Sequence, residues 1–132
     1  MEPERMEELT PEACWAVLTE QSVGRLAYVL DGEVNIVPIS HAVRDQQIVF
    51  ETGQGSKLLA IDEQGTVAYE VDAITDQESV SVVVRGFATA LEGDEAEAAA
   101  SGIHPWIEGD QPEVMAIVPS AVTGRRYRHS RG

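Results

Sequence analysis

The residues best suited to chemistry sit together at the end of an apolar run. They read Ile48-Val49-Phe50-Glu51-Thr52, then Gly53-Gln54-Gly55-Ser56-Lys57-Leu58. The two glycines permit positive φ and let another group approach the backbone closely. Ser56-Lys57 opens a predicted short helix, whose first N–H groups are unpaired and carry the positive end of the dipole. Thr52 and Ser56 add hydroxyls, and Lys57, the only lysine in the chain, adds an ammonium. Such a set suits a phosphate. It equally suits a plain strand–turn–helix corner in which Ser56 is an N-cap, since short glycine motifs recur by accident.

Composition bounds what those residues can belong to. The chain has 132 residues, 43% of them hydrophobic, which fits one domain over 1–132 with a real core. Residues 1–8 and 128–132 are expected to be loose. A formal net charge of −14 argues against nucleic acid or an anionic membrane as partner. It leaves room for a small anion, because screening over ~8 Å lets local cations decide such a site. The one cysteine, Cys14, permits no intrachain disulfide and suits a reducing cytosol. The start MEPERMEEL is acidic and unlike a signal peptide, and no apolar run approaches the ~20 residues of a span. A cytoplasmic protein is expected.

Several elements must position the corner. Thr10-Pro11 predicts an N-cap and first helical residue, with Cys14, Val17 and Leu18 forming an apolar stripe to about Glu20. Val23–Leu30 and Val34–Val43 predict strands joined by an Asp31-Gly32 hairpin turn. The second strand is apolar on both faces, so both must be covered, for example by a barrel core and by a helix or second subunit. Pro38 cannot donate to a ladder and marks an edge or a bulge. His41 shares a face with Val37, Ile39 and Val43, where a packed structural role is the default. Gln47–Thr52 is the third strand, Ser56–Glu63 a short helix, and Thr66–Asp72 the fourth strand. Asp72 and Asp76 flank a polar connection better read as solvated than as a metal site. Glu78–Leu91 is a long strand in which Gly86 marks a bulge. Asp94–Ser101 favours helix, and the irregular stretch after it holds His104-Pro105-Trp106. Val114–Val118 is a strand that Pro119 is expected to break, and Ala121–Tyr127 a last one. The tail carries Arg125, Arg126, Arg128 and Arg131, either a solubilising end or an anion clamp. Mostly sequential hairpins suggest a small antiparallel barrel.

Six pieces in this order resemble the pyridoxamine 5′-phosphate oxidase-like family of FMN-binding split barrels, in its small actinobacterial type. They are Val23-Gly24-Arg25-Leu26, Asn35-Ile36-Val37-Pro38-Ile39, the corner itself, Ser81-Val82-Val83-Val84-Arg85-Gly86, Pro105-Trp106, and Val122-Thr123-Gly124-Arg125-Arg126. The resemblance spans roughly Leu9 to Arg126. It implies a mainly β (α+β) fold, a six-stranded antiparallel split barrel with two or three short flanking helices. It also implies a homodimer with two flavin sites at the subunit interface. Thr52, Ser56 and Lys57 would hold the FMN phosphate. Val37, Pro38, Ile39 and Ser40 would line the isoalloxazine ring through backbone groups. Trp106 and Arg125 would reach in from the other subunit.

A flavin oxidoreductase acting on a small molecule is therefore the expectation, since hydride transfer needs no protein nucleophile. His41 and Tyr28 are candidates to assist a proton. Two departures stand out. Glu51 takes a place where members often carry a basic residue. Arg126-Tyr127-Arg128-His129 does not reproduce the Arg-x-His substrate motif, so true pyridoxamine phosphate oxidation is not expected. The alternatives are an F420-dependent reductase on the same barrel and a non-catalytic flavin- or haem-binding protein.

Overall fold

In the computed structural model, residues 5–52, 66–103 and 113–129 are described. The elements are β1 (Arg5–Glu8), α1 (Pro11–Glu20), β2 (Val23–Leu30), β3 (Glu33–Arg44), β4 (Gln47–Thr52), β5 (Thr66–Ile74), β6 (Glu78–Ala90), α2 (Gly93–Ala100) and β7 (Glu113–Arg128). The expected helix over 56–63 lies outside the described residues, as do Ser56, Lys57 and Trp106.

Every strand pairing is antiparallel, and the order is β1-β7-β4-β3-β2-β5-β6 with β6 returning to β7. That return closes six strands, β2 to β7, into the split barrel. Period-two alternation sends one side of each strand inward. Leu26, Tyr28, Ile48, Phe50, Tyr69, Val82, Val84, Met115 and Ile117 are all buried in one core cluster. Helix α1 contributes Cys14 and Leu18 to the same cluster. Its start is as expected: Thr10 Oγ1 accepts the Ala13 N–H at 3.1 Å, and Pro11 takes the first turn. Burial pushes the Cys14 thiol above its usual range, away from reactivity. Helix α2 and the turn after it cover a separate patch, packing Ala99 and Ile103 over Val49, Val114 and Ala116.

Two expectations about strand ends are overturned. Residues 5–8 are not loose: β1 pairs Arg5–Glu8 with Arg128–Arg125 of β7. Charge explains the pairing. The acidic lead-in lies along the arginine-rich strand, and Arg126 reaches Glu7 at 3.2 Å and Glu78 at 3.4 Å. The far end is likewise tied, with Arg128 closing β7 and His129 Nε2 2.8 Å from Ser79 Oγ.

Pro119 does not break β7 either. The ladder with β6 pairs Arg85 with Ala121 and Gly86 with Pro119, leaving Ser120 as the extra residue of a bulge. A proline is tolerated at such a point because no ladder donor is required there. Gly86 is the complement, since a Cβ there would run into the Val118 carbonyl. Ser120 Oγ then donates to the Arg85 carbonyl at 3.1 Å. Gly86→Ala is accordingly expected to destabilise the barrel by about 1–3 kcal/mol, the scale of overpacking. Urea unfolding measures this, and an unchanged midpoint would show that the bulge relaxes freely.

Candidate functional site

Strand β3 is longer than its neighbour. It pairs with β2 over Glu33–Ser40 but with β4 only over His41–Arg44. The strands thus part at a fork, and among the described residues nothing pairs with 33–40 on the β4 side. The His41 N–H donates to the Ser22 carbonyl at 2.9 Å, on the β2 side. Since N–H and C=O alternate in direction along an antiparallel strand, the open edge presents Val34, Ile36, Pro38 and Ser40. Pro38 offers only its carbonyl there.

This geometry sorts the expected site residues. Val37 and Ile39 turn their side chains into the core and their backbone groups into the β2 ladder. Pro38 is exposed at the open edge, and Ser40 is buried just inside the fork. Continuing the β3–β4 register past His41–Phe50 puts Thr52 opposite Ile39, where the strands have separated. Thr52 is buried and leads directly into the glycine corner. Pro38, Ile39 and Ser40 thus stand on one arm of the fork and Thr52 on the other. Arg125 is not among them: it lies on β7 in the stretch beyond β4, opposite Glu8 of β1 and Ser81 of β6. Ile36 belongs to the open edge and was missed, because a plain strand reading does not say which strand stops short.

Beneath the fork lies a buried polar pair. His41 Nε2 is 2.8 Å from the Leu18 carbonyl and Nδ1 is 2.6 Å from the Tyr69 hydroxyl. A carbonyl only accepts, so Nε2 carries the proton and Nδ1 accepts from Tyr69. The two rings meet edge to face with centroids 5.2 Å apart. Burial lowers the His41 pKa and raises that of Tyr69. Both groups are thus neutral and engaged, and Tyr28 is part of the core. The pair ties the last turn of α1 to β3 and β5. Gly24 makes it possible, since a Cβ there would lie 2.5 Å from the Tyr69 hydroxyl. The sequence did carry that signal, as an isolated strand glycine marks a close approach.

The cations divide in the same way. Arg25, across from Pro38, gives Nε to Glu70 at 2.8 Å and a terminal nitrogen to Asp72 at 2.7 Å. The Glu70 hydrogen bond raises the Arg25 pKa, while burial raises that of Glu70. Its charge is therefore already matched. Arg125 has no ion pair among the described residues. Asp72 serves Arg25, and no group of three His, Cys, Asp or Glu among the described residues could hold a metal. No described helix is long and apolar enough to cross a membrane.

Comparison with known proteins adds a family frame. Residues 10–126 match the family model for pyridoxamine 5′-phosphate oxidase. An uncharacterized protein of Mycobacterium tuberculosis is 30% identical over 127 residues, covering 90% of this chain and 84% of that one. A Corynebacterium glutamicum structure, provisionally named a pyridoxamine 5′-phosphate oxidase, superposes with a TM-score of 0.84 at 27% identity. It covers 95% of this chain and 100% of its own. The FAD binding protein of Mycobacterium smegmatis superposes at 0.78 with 28% identity, over 92% and 100% of the two chains.

The His41 pair makes stability depend on pH. Its folded pKa lies below the ordinary 6.5, so neutral His41 stabilises the fold above that value. The contribution is lost as pH falls through the folded pKa. Going from pH 7 to pH 5, the wild type should lose stability relative to His41→Gln. Wild type and His41→Gln losing stability equally between the two pH values would show that His41 takes up a proton in the fold as readily as in the unfolded chain.

Proposed function

We propose, from the premise that the chain belongs to the pyridoxamine 5′-phosphate oxidase family, that it is an FMN-dependent oxidoreductase acting on a small molecule. The observation that carries this reading is the fork. An open strand edge with ordered carbonyl and N–H groups ends at a buried threonine, which opens into Gly53–Lys57. A flavin needs both parts, a hydrogen-bonding edge for its ring and charge-assisted donors for its phosphate.

When bound, the flavin supplies the hydride and electron chemistry. The chain's own residues bind and orient it. Thr52, Ser56 and Lys57 hold the phosphate, with Lys57 as the cation because Arg25 is committed to Glu70 and Asp72. Pro38, Ser40 and Ile36 meet the ring through edge backbone groups, while Val37 and Ile39 support that edge from the core. Trp106 and Arg125 come from a second subunit. A single ammonium suits one phosphate, which favours FMN; the M. smegmatis relative's FAD supports a flavin in general. Pyridoxamine phosphate is not the proposed substrate, since Arg126 is held between Glu7 and Glu78.

The outer face beside the fork supports a homodimer. Val34 is 72% exposed and Ile36 66%, and they pair across the sheet with Val29 and Ala27. Leaving each such side chain in water forgoes ~1.5–3 kcal/mol, so a second copy covering them is favoured. One face of β3 then serves the barrel and the other a partner. A cytosolic location fits the reduced, buried Cys14.

Mass spectrometry of the small molecule released on denaturation should find FMN; F420 or haem would replace this reading with another. Lys57→Ala should weaken FMN binding by about 1–3 kcal/mol, the scale for one charged hydrogen-bond partner. Ile36→Asp should shift the protein toward monomer in sedimentation and weaken FMN binding together. A monomeric wild type with full flavin affinity would remove the second subunit from the site.

A further inference from the structure

A second cleft lies at the other end of β3, six residues from Pro38 or roughly 20 Å along the strand. It has a volume of 410 Å³, within the range of small-molecule sites. Its floor is the stretch of β7 that, among the described residues, pairs with β6 on one edge and with no strand on the other. β4 pairs with β7 only as far as Ile117, and β1 begins at Arg125. Leu9 closes part of the gap, donating its N–H to the Gly124 carbonyl at 2.9 Å. Pro119, at the bulge, and Val122 line what remains.

One wall is helix α1. Pro11 and Trp15 stand four residues apart and so share a helix face. Trp15 packs one side against the core cluster and lines the cleft with another. Its indole N–H has no partner among the described residues. The opposite wall is the β3–β4 turn, which brings Gln46 and Gln47. This turn departs from the economical choice. Asp45 and Gln46 hold φ of 51° and 57°, whereas the β2–β3 turn places Gly32 at the second such position. A side chain in the left-handed region is strained where glycine is not. Strain kept at one residue points to a use for its side chain. Both glutamine amides are unpartnered among the described residues, and each offers one donor beside one acceptor.

We infer that this cleft binds a neutral nitrogen heterocycle of the nucleobase type, stacked on Trp15 and read along its edge by Gln46 and Gln47. A primary amide pairs with a ring edge that sets a donor beside an acceptor, as adenine does. An aromatic face holds the ring itself. The cleft's lining includes Asp45 and no lysine or arginine, and the neighbouring Arg44 lies 3.8 Å from Asp45. An unphosphorylated nucleoside therefore fits, and its phosphorylated form is disfavoured locally, with Asp45 in the lining and no cation there to offset a phosphate.

Adenosine is the probe, titrated calorimetrically into the protein as purified, with AMP as comparator. Saturable adenosine binding at least tenfold tighter than AMP is expected, and riboflavin should not displace it. Trp15→Ala should weaken it at least tenfold. Gln46→Gly, which relieves the turn, should weaken it at least fivefold while melting no lower than the wild type. No saturable binding overturns the inference, as does AMP binding equally well or adenosine binding untouched by both substitutions. Displacement by riboflavin would place adenosine in the flavin site and equally overturn it, leaving the flavin reading intact.

Discussion

The parting of β3 from β4 at His41 is the constraint on which the rest depends. A closed barrel satisfies every strand edge; among the described residues this one leaves eight residues of one strand paired on one side only. Unpaired backbone groups at an edge must meet water or a ligand. The fork is held open from within. His41 and Tyr69 tie the end of α1 to β3 and β5 just where the ladder divides. Because both rings are buried and neutral, the tie is a fixed brace rather than a catalytic pair.

Three glycines of the family-like pieces have a shared physical explanation. Gly24 makes room for the Tyr69 phenol, Gly86 for the β7 backbone at the bulge, and Gly124 for Cys14 and Leu9. Each stands where another element lies in the space of a Cβ. Their roles differ accordingly: one seats the brace beneath the fork, one bends the closing strand, and one docks α1. A substitution at any of them acts on the site through the frame.

Charge is used locally in this acidic chain. Arg25 is spent on Glu70 and Asp72, and Arg126 on Glu7 and Glu78. What reads as an unstructured acidic start and a free basic end is one antiparallel pair. Strand content was legible from alternation, and the bulge from Gly86. The pairing of β1 was not, because Arg5-Met6-Glu7-Glu8, with one apolar residue in four, carries no apolar alternation to reveal a strand. Pro119 misled for a related reason, as a proline is read as a break unless the bulge opposite it is known.

The sequence alone determined the segments that become β2 to β6, where α1 starts, and that Pro38 lies where a ladder donor is dispensable. Those features follow from neighbours along the chain: capping, alternation and a missing N–H. The tertiary structure alone decided that β3 outruns β4, that Ile36 and Ser40 share the open edge, and that Val37 and Ile39 face the core. It also decided that Arg25 is occupied and that Arg125 lies between β1 and β6, beyond the end of β4. These depend on strand register and closure, which arise between residues far apart in the chain and leave no mark in local spacing.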